Sequence, residues 1–359
     1  MDPEADKMKR SRAQSTGSAS VDLLALADCV EQFPSKTVVV LGDFVADEFQ
    51  FGEISRVSRE APVLILRHRE TQLFPGGGAN AANNLAALGA RVLPITAVGH
   101  DAAGDALVAC FRRKRVNFSG IQRVKNWSTP TKTRFLAGWA HTVGQQVLRV
   151  DREPQSALPE STRTKLQQTL RAHLRSADAL AVSDYGFGVA TPDLVRFARS
   201  NLRAKLPITL DARYNLNAYA KAGITSATPN EAELEALHHT PIGKNLDELI
   251  RCGSTTRSTM KLEALLVTRG RDGMALFEPG NHFTQIPVHG SDQAVDVTGA
   301  GDTVLAAYTL ALACGASPLE AAHIANIAGG LVVMKRGTAT VSREQLLDAI
   351  RRDAGGASP

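Results

Sequence analysis

Short apolar runs alternate with amphipathic stretches along most of this chain, and that alternation narrows the fold more than any other feature. Lys36-Thr37-Val38-Val39-Val40-Leu41-Gly42-Asp43 is apolar at successive positions and ends in a carboxylate, the pattern of a strand buried inside a parallel sheet. Further strand-like runs are Leu93 to Val98, Ala179 to Ser183, Ile208 to Asp211, Ser226 to Thr228 and Ala264 to Thr268. Helical patterns fall between them at Ala79 to Leu88, Gly104 to Lys114, Glu160 to Ala177, Pro192 to Arg203, Glu231 to Leu237 and Leu246 to Arg251. A doubly wound α/β sheet is the architecture this order predicts. Ligands in such folds bind at the carboxyl ends of strands. Asp43, Asp184, Asp211 and Asn230 sit at or just past such ends and are site candidates as a group.

Two stretches, about 49–70 and 131–150, alternate apolar and polar residues with no helix between the strands. They read as antiparallel strands of a small separate sheet, a lid or a dimer surface; an edge extension of the main sheet is the competing reading. Residues 1–20 are polar and Ser-rich and are expected to be disordered, 21–350 form the folded unit, and 351–359 form a frayed tail.

Asp296-Val297-Thr298-Gly299-Ala300-Gly301-Asp302 places a glycine-lined turn and a carboxylate just ahead of an apolar helix, Val304 to Ala313. A helix N-terminus offers unpaired N–H groups and partial positive charge, and glycines let a phosphate approach them. Asp302 would then face the phosphate and take a proton from an attacking hydroxyl; an Asp N-cap is the plainer alternative. Gly76-Gly77-Gly78-Ala79-Asn80 is a second glycine turn entering a helix. Asn80 there offers a donor and an acceptor to sugar hydroxyls. Asn230 and Glu233 have capping-box spacing, and are also placed to organise Mg²⁺ through water. Thr268 and Gly270 lie on a strand leading into a hairpin turn that would flank a nucleotide, and Asn326 in the last helix is either near the adenine or a packing amide.

The apolar fraction of 43% supports a sizeable core, and no apolar run is long enough to span a bilayer. Aromatics at 5% argue against a base-stacking surface, and the basic run Arg112-Arg113-Lys114-Arg115 reads as a solvated helix end rather than a nucleic-acid patch. Cys29, Cys110, Cys252 and Cys314 are widely spaced and expected to be buried thiols, in a reducing cytoplasm.

With the two glycine motifs in this order and separation, the chain resembles the ribokinase-like (PfkB) carbohydrate kinases over about residues 36–350. Within that family it is most similar to the D-glycero-β-D-manno-heptose 7-phosphate kinases. The resemblance is carried by Gly42-Asp43 with Asp47, by Glu60-Ala61-Pro62, by Ser183-Asp184-Tyr185 and by Gly337-Thr338-Ala339-Thr340.

The resemblance implies a mostly parallel sheet flanked by helices with a small β-sheet lid, and homodimers formed through the lid strands. It implies Asp302 as catalytic base, with the amides of Gly299, Ala300 and Gly301 as anion hole. Asp43, Gly77, Gly78, Asn80 and Asp184 would hold the sugar. Asn230, Glu233, Thr268, Gly270, Thr298 and Asn326 would serve ATP and Mg²⁺. Phosphate would move to the anomeric hydroxyl of the heptose phosphate, any nucleotidyltransferase step coming from another polypeptide. Asp302 is expected to be ionised beside the helix N-terminus without a raised pKa. The family's lysine in Ser-Asp-Tyr-Ala-Lys-Gly is Phe187 here and the lysine of Asp-Pro-Lys is Arg213, so Lys132, Arg134 and Arg213 are the candidate phosphate ligands. A ribokinase-like kinase for another sugar and a non-catalytic sugar or nucleotide binder are the alternatives.

Overall fold

Val38 and Val40 of the first strand point into one hydrophobic core, while Val39 and Leu41 point into another on the opposite face. Strand side chains alternate in this way, so a strand covered on both sides must be apolar at every position. The structure, a computed structural model, describes residues 21–138, 145–202, 206–291 and 293–356. The N-terminal extension expected at 1–20 lies outside the described residues.

The main sheet is built from β1 (Thr37–Gly42), β4 (Arg91–Gly99), β5 (Ile121–Val124), β8 (Ala179–Asp184), β9 (Ile208–Ala212), β10 (Ser226–Ala227), β11 (Ala264–Thr268), β12 (Met274–Glu278) and β13 (His282–Ile286). Their order is β13-β12-β11-β10-β9-β8-β1-β4-β5. The pairings from β5 to β11 are parallel, and β12 and β13 add antiparallel at one edge. The strand and helix alternation is as expected, with β5, β12 and β13 added. Helices cover both faces, and the helix Leu246–Met260 runs well past the expected end at Arg251.

A second, four-stranded sheet has the order β3-β2-β6-β7, from β2 (Phe44–Val57), β3 (Leu64–Gly77), β6 (Thr131–Gly138) and β7 (Gln145–Arg152). It is a separate sheet rather than an edge extension. The expected all-antiparallel pairing is corrected: β2 and β6 run parallel, from Ala46↔Thr131 to Glu53↔Gly138. They do so because each arrives directly from the main sheet side, β2 immediately after β1, and each then folds back through its own hairpin partner.

Three further corrections concern helix ends and thiols. The helix carrying Asp302 spans Ala300–Ala313, so Asp302 lies within its first turn rather than ahead of it. Asn326 is on Pro318–Val333, and the last helix is Arg343–Ala354, which runs past the expected boundary at 350. Cys252 is buried, whereas Cys29, Cys110 and Cys314 are only partly buried. No helix among the described residues is long and apolar enough to cross a membrane.

Candidate active site

The two glycine turns that stand far apart in the chain meet in space. Gly77 ends β3 with φ +55° and Gly299 precedes the helix Ala300–Ala313 with φ +77°, both in the left-handed region that favours glycine. A side chain at Gly299 would also collide with Asn80 Nδ2, 2.4 Å from the position of its Cβ. Asn80 therefore reaches across from one turn to the other. Its Nδ2 donates to Asp302 Oδ2 at 2.8 Å and to the Gly299 carbonyl at 3.3 Å. Asn84 Nδ2 donates to Asn80 Oδ1 at 3.1 Å, and Thr303 donates its hydroxyl to Asn84 Oδ1 at 3.0 Å. Asn80 and Asn84 are fully buried, so this chain of amides is part of the core as much as of the site.

Asp302 is 3% exposed and also accepts from the Tyr185 hydroxyl at 3.2 Å. Burial, helped by the charge of Asp47, pushes its pKa up to about 7 against the hydrogen bonds from Asn80 and Tyr185 and the charge of Lys132. The expectation of an unraised pKa is thus corrected: desolvation outweighs the groups that favour the anion. A carboxylate with this pKa is balanced between holding and releasing a proton near neutrality.

Asp302 opens onto a cavity of about 1120 Å³ at the carboxyl ends of β9, β10 and β11. The second sheet supplies Asp47, Lys132 and Arg134 to it, and the loop after β9 supplies Arg213 and Tyr214. Thr268 and Gly270 line it beside Asn230 and Glu233, and Gly77, Thr298, Gly299 and Gly301 complete the floor around Asp302. Thirteen of the candidates named from sequence, Asp211 among them, are thereby brought to one place.

Six are not among the lining residues, and each has a physical reason. Asp43 is 1% exposed and its carboxylate is filled by backbone donors, from Tyr185 and Phe187 to Oδ2 and from Val189 to Oδ1, each at 2.9 Å. It shapes the 185–189 loop. Asp184 accepts from the Gly186 amide at 2.8 Å and the Tyr219 hydroxyl at 2.6 Å, bracing the same loop. Gly78 packs against the backbone of Gly42 and Asp43. Asn80 spends its amide on Asp302, as above. Ala300 donates its N–H to the Val297 carbonyl at 3.2 Å, which leaves Gly299 and Gly301 as the cavity-lining members of the three anion-hole candidates. Asn326 donates to the Pro287 carbonyl at 2.8 Å, the packing role.

The capping box at Asn230 forms in full, with Asn230 Oδ1 accepting from the Glu233 amide at 2.8 Å and Glu233 Oε2 accepting from the Asn230 amide at 2.9 Å. Both residues still line the cavity. Asp211, beside them, has its pKa raised by burial first, then by the charges of Glu233 and Asp302. Lys132 is held below the usual lysine value by burial and by Arg213.

Asp47 and Tyr185, which are not site candidates from sequence, also line the cavity. Asp47 forms an ion pair with Arg134 at 2.6 Å, and a Cβ at Gly76 would lie 2.3 Å from its Oδ2. The triple glycine was thus also a sign of a side chain close by. Tyr185 lies between Asp302 and two cations, with Lys132 Nζ 5.0 Å and the Arg213 guanidinium 5.9 Å from its ring centre.

A buried carboxylate at a helix N-terminus, glycine amides beside it and a cation-lined cavity are the features of a sugar-kinase-like phosphotransferase on an α/β sheet. The fold is shared with Arabidopsis thaliana ribokinase solved with ribose and ATP (TM-score 0.69, 21% identity, 88% of this chain and 99% of that one). It is shared too with Escherichia coli phosphofructokinase-2 solved with potassium (TM-score 0.70, 20% identity, 88% and 98%). The model of the pfkB family carbohydrate kinases matches residues 35–345, and the chain belongs to that family of ATP-dependent sugar kinases. Among its relatives is the bifunctional protein HldE of Mesorhizobium japonicum, 37% identical over 332 residues. That match covers 91% of this chain and 64% of the relative. The Caulobacter sp. protein of the same name is 39% identical over 329 residues, covering 90% and 64%. The chain therefore spans somewhat less than two thirds of the length of these relatives.

Proposed function

We propose that this protein transfers the γ-phosphate of ATP to the anomeric hydroxyl of D-glycero-β-D-manno-heptose 7-phosphate, giving the 1,7-bisphosphate. The observation that carries the reading is the pairing, in one cavity, of a buried carboxylate near neutrality with two cations that form no ion pair among the described residues. The likeness to bifunctional HldE proteins supports the same reading, while the sequence departures at Phe187 and Arg213 favour a ribokinase-like kinase for another sugar or sugar phosphate. In this reading Asp302 takes the hydroxyl proton as the oxygen attacks phosphorus. The amides of Gly299 and Gly301 meet the charge that builds on the phosphoryl oxygens. Lys132 and Arg213 hold the sugar's own phosphate, Gly77 and Asp47 face its hydroxyls, and Thr268, Gly270 and Thr298 border the nucleotide.

Magnesium fits this site as a partner of the ATP phosphates. No cluster of three or more His, Cys, Asp or Glu among the described residues forms a protein cage for a metal. Magnesium commonly keeps several waters and takes one or two carboxylates with substrate phosphates. Asp211 and Glu233 supply that donor set, and their mutual charge is what a cation would relieve. Once bound, the ion neutralises phosphate charge. Homodimerisation through the second sheet belongs to the same reading. Its support is the fully exposed outer strand β7, where Val147, Leu148 and Val150 face solvent.

The test is a coupled ADP-release assay with Mg·ATP against a panel of sugars and sugar phosphates. Turnover confined to heptose 7-phosphate is expected. Turnover only with another sugar keeps the chemistry and removes the substrate, and ATP binding with no turnover points to a silent binder. A monomer by light scattering removes the dimer.

A further inference from the structure

Two cations in the cavity meet carboxylates only through longer-range charge, Lys132 with Asp47 and Asp151 and Arg213 with Asp211 and Glu233. Arg134 is neutralised by Asp47, but neither Lys132 nor Arg213 has an ion-pair partner among the described residues. They come from different elements, β6 and the loop after β9, and like charges repel. What they share is the ring of Tyr185, with Lys132 Nζ 5.0 Å and the Arg213 guanidinium 5.9 Å from its centre. An aromatic face attracts cations through its quadrupole and offsets part of that repulsion. The hydroxyl of the same residue donates to Asp302 Oδ1 at 3.2 Å while Asn80 holds Oδ2 at 2.8 Å. Both oxygens of the carboxylate are therefore held by a donor. The backbone of Tyr185 is anchored in turn, its N–H donating to Asp43 Oδ2 at 2.9 Å.

We propose that Tyr185 is a positioning residue with two separable actions: its hydroxyl orients the Asp302 carboxylate, and its ring gathers Lys132 and Arg213 into one anion-binding pair. The base and the anion pair then keep a set spacing, because one side chain touches both. A substrate anchored by its phosphate on the cations presents its hydroxyl at the base, and a sugar lacking that phosphate loses the register. The inference rests on the kinase reading above. The ionisable groups facing Tyr185 are Asp302, Asp211, Asp47, Lys132 and Arg213. Of these, Asp302 alone accepts its hydroxyl.

Two variants of the whole chain separate the actions. Tyr185→Phe keeps the ring and removes the hydroxyl. It is expected to lower kcat about tenfold, the scale of one lost charge-assisted hydrogen bond, with KM for the phosphorylated sugar unchanged. The pH midpoint of kcat moves upward, because a donor that favoured the anion is gone. Tyr185→Leu removes both. It is expected in addition to raise KM for the phosphorylated sugar about tenfold while leaving KM for ATP in place. An unmoved kcat and midpoint in Tyr185→Phe overturn the role of the hydroxyl, and an unmoved KM in Tyr185→Leu overturns that of the ring. If the wild type turns over no sugar, the kinase reading fails by itself. Inorganic phosphate binding by calorimetry then still decides: about tenfold weaker binding in Tyr185→Leu than in Tyr185→Phe supports the ring's action, and equal binding overturns it.

Discussion

The cavity has two walls of different physical character. Around Asp302 everything is buried and hydrogen-bonded: Asn80, Asn84 and Thr303 are essentially inaccessible and their polar atoms are chained to one another. Across the cavity, Lys132 and Arg134 on β6 are only partly covered, and Arg213 and Tyr214 are exposed. The first wall is an extension of the core, so its geometry is held by packing. The second is held by cation–aromatic contacts and one ion pair, with the Tyr185 ring tying it to the first. Chemistry that needs a base at a set distance belongs on the first wall, and recognition of an anionic substrate group belongs on the second.

Substitutions should therefore separate into turnover effects on the buried wall and binding effects on the other. Asp302→Asn is expected to cut kcat by about 10³-fold, the scale of a general base, with ATP affinity retained. A variant within tenfold of wild type removes Asp302 from the role. Asn80→Ala comes next, with kcat down about tenfold and the protein destabilised by roughly 1–3 kcal/mol, since Asn84 and Asp302 lose a buried partner. Denaturant melts that coincide with wild type would argue that the amide chain is not under load.

The pH profile tests the same wall without mutation. Asp302 must lose its proton to act, and its pKa is raised to about 7, so kcat should fall with acid, tenfold per unit well below 7. Protonation of a raised carboxylate favours the folded state, so this contribution to stability is complete below the unfolded value of 3.8 and lost as pH rises through about 7. Activity that stays flat down to pH 5 contradicts the burial argument. On the recognition wall, Arg213→Ala should raise KM for a sugar phosphate about tenfold and leave kcat nearly unchanged. Unchanged KM would show that Arg213 is not a phosphate ligand. The smallest effect is expected from Glu233→Gln, a few-fold higher Mg²⁺ requirement in a magnesium titration at fixed ATP.

Much of this was readable in one dimension, and what was not shares a common cause. The β1 run, the strand and helix alternation, the capping box at Asn230 and the glycine turn at Gly299 each depend on neighbours a few residues away. Local periodicity, caps and turn chemistry express themselves in sequence directly. The sequence by itself thus determined the α/β class, the family resemblance and the stretch that carries Asp302. Only the tertiary structure decided that Asn80 bonds to Asp302 instead of facing the cavity, that Asp43 and Asp184 brace a loop, and that Asp47 and Tyr185 line the cavity. It alone decided the parallel β2–β6 pairing and the raised pKa of Asp302. These depend on which groups distant in the chain are brought together and which are cut off from water, and hydrogen-bond saturation and desolvation exist only once the chain has closed on itself.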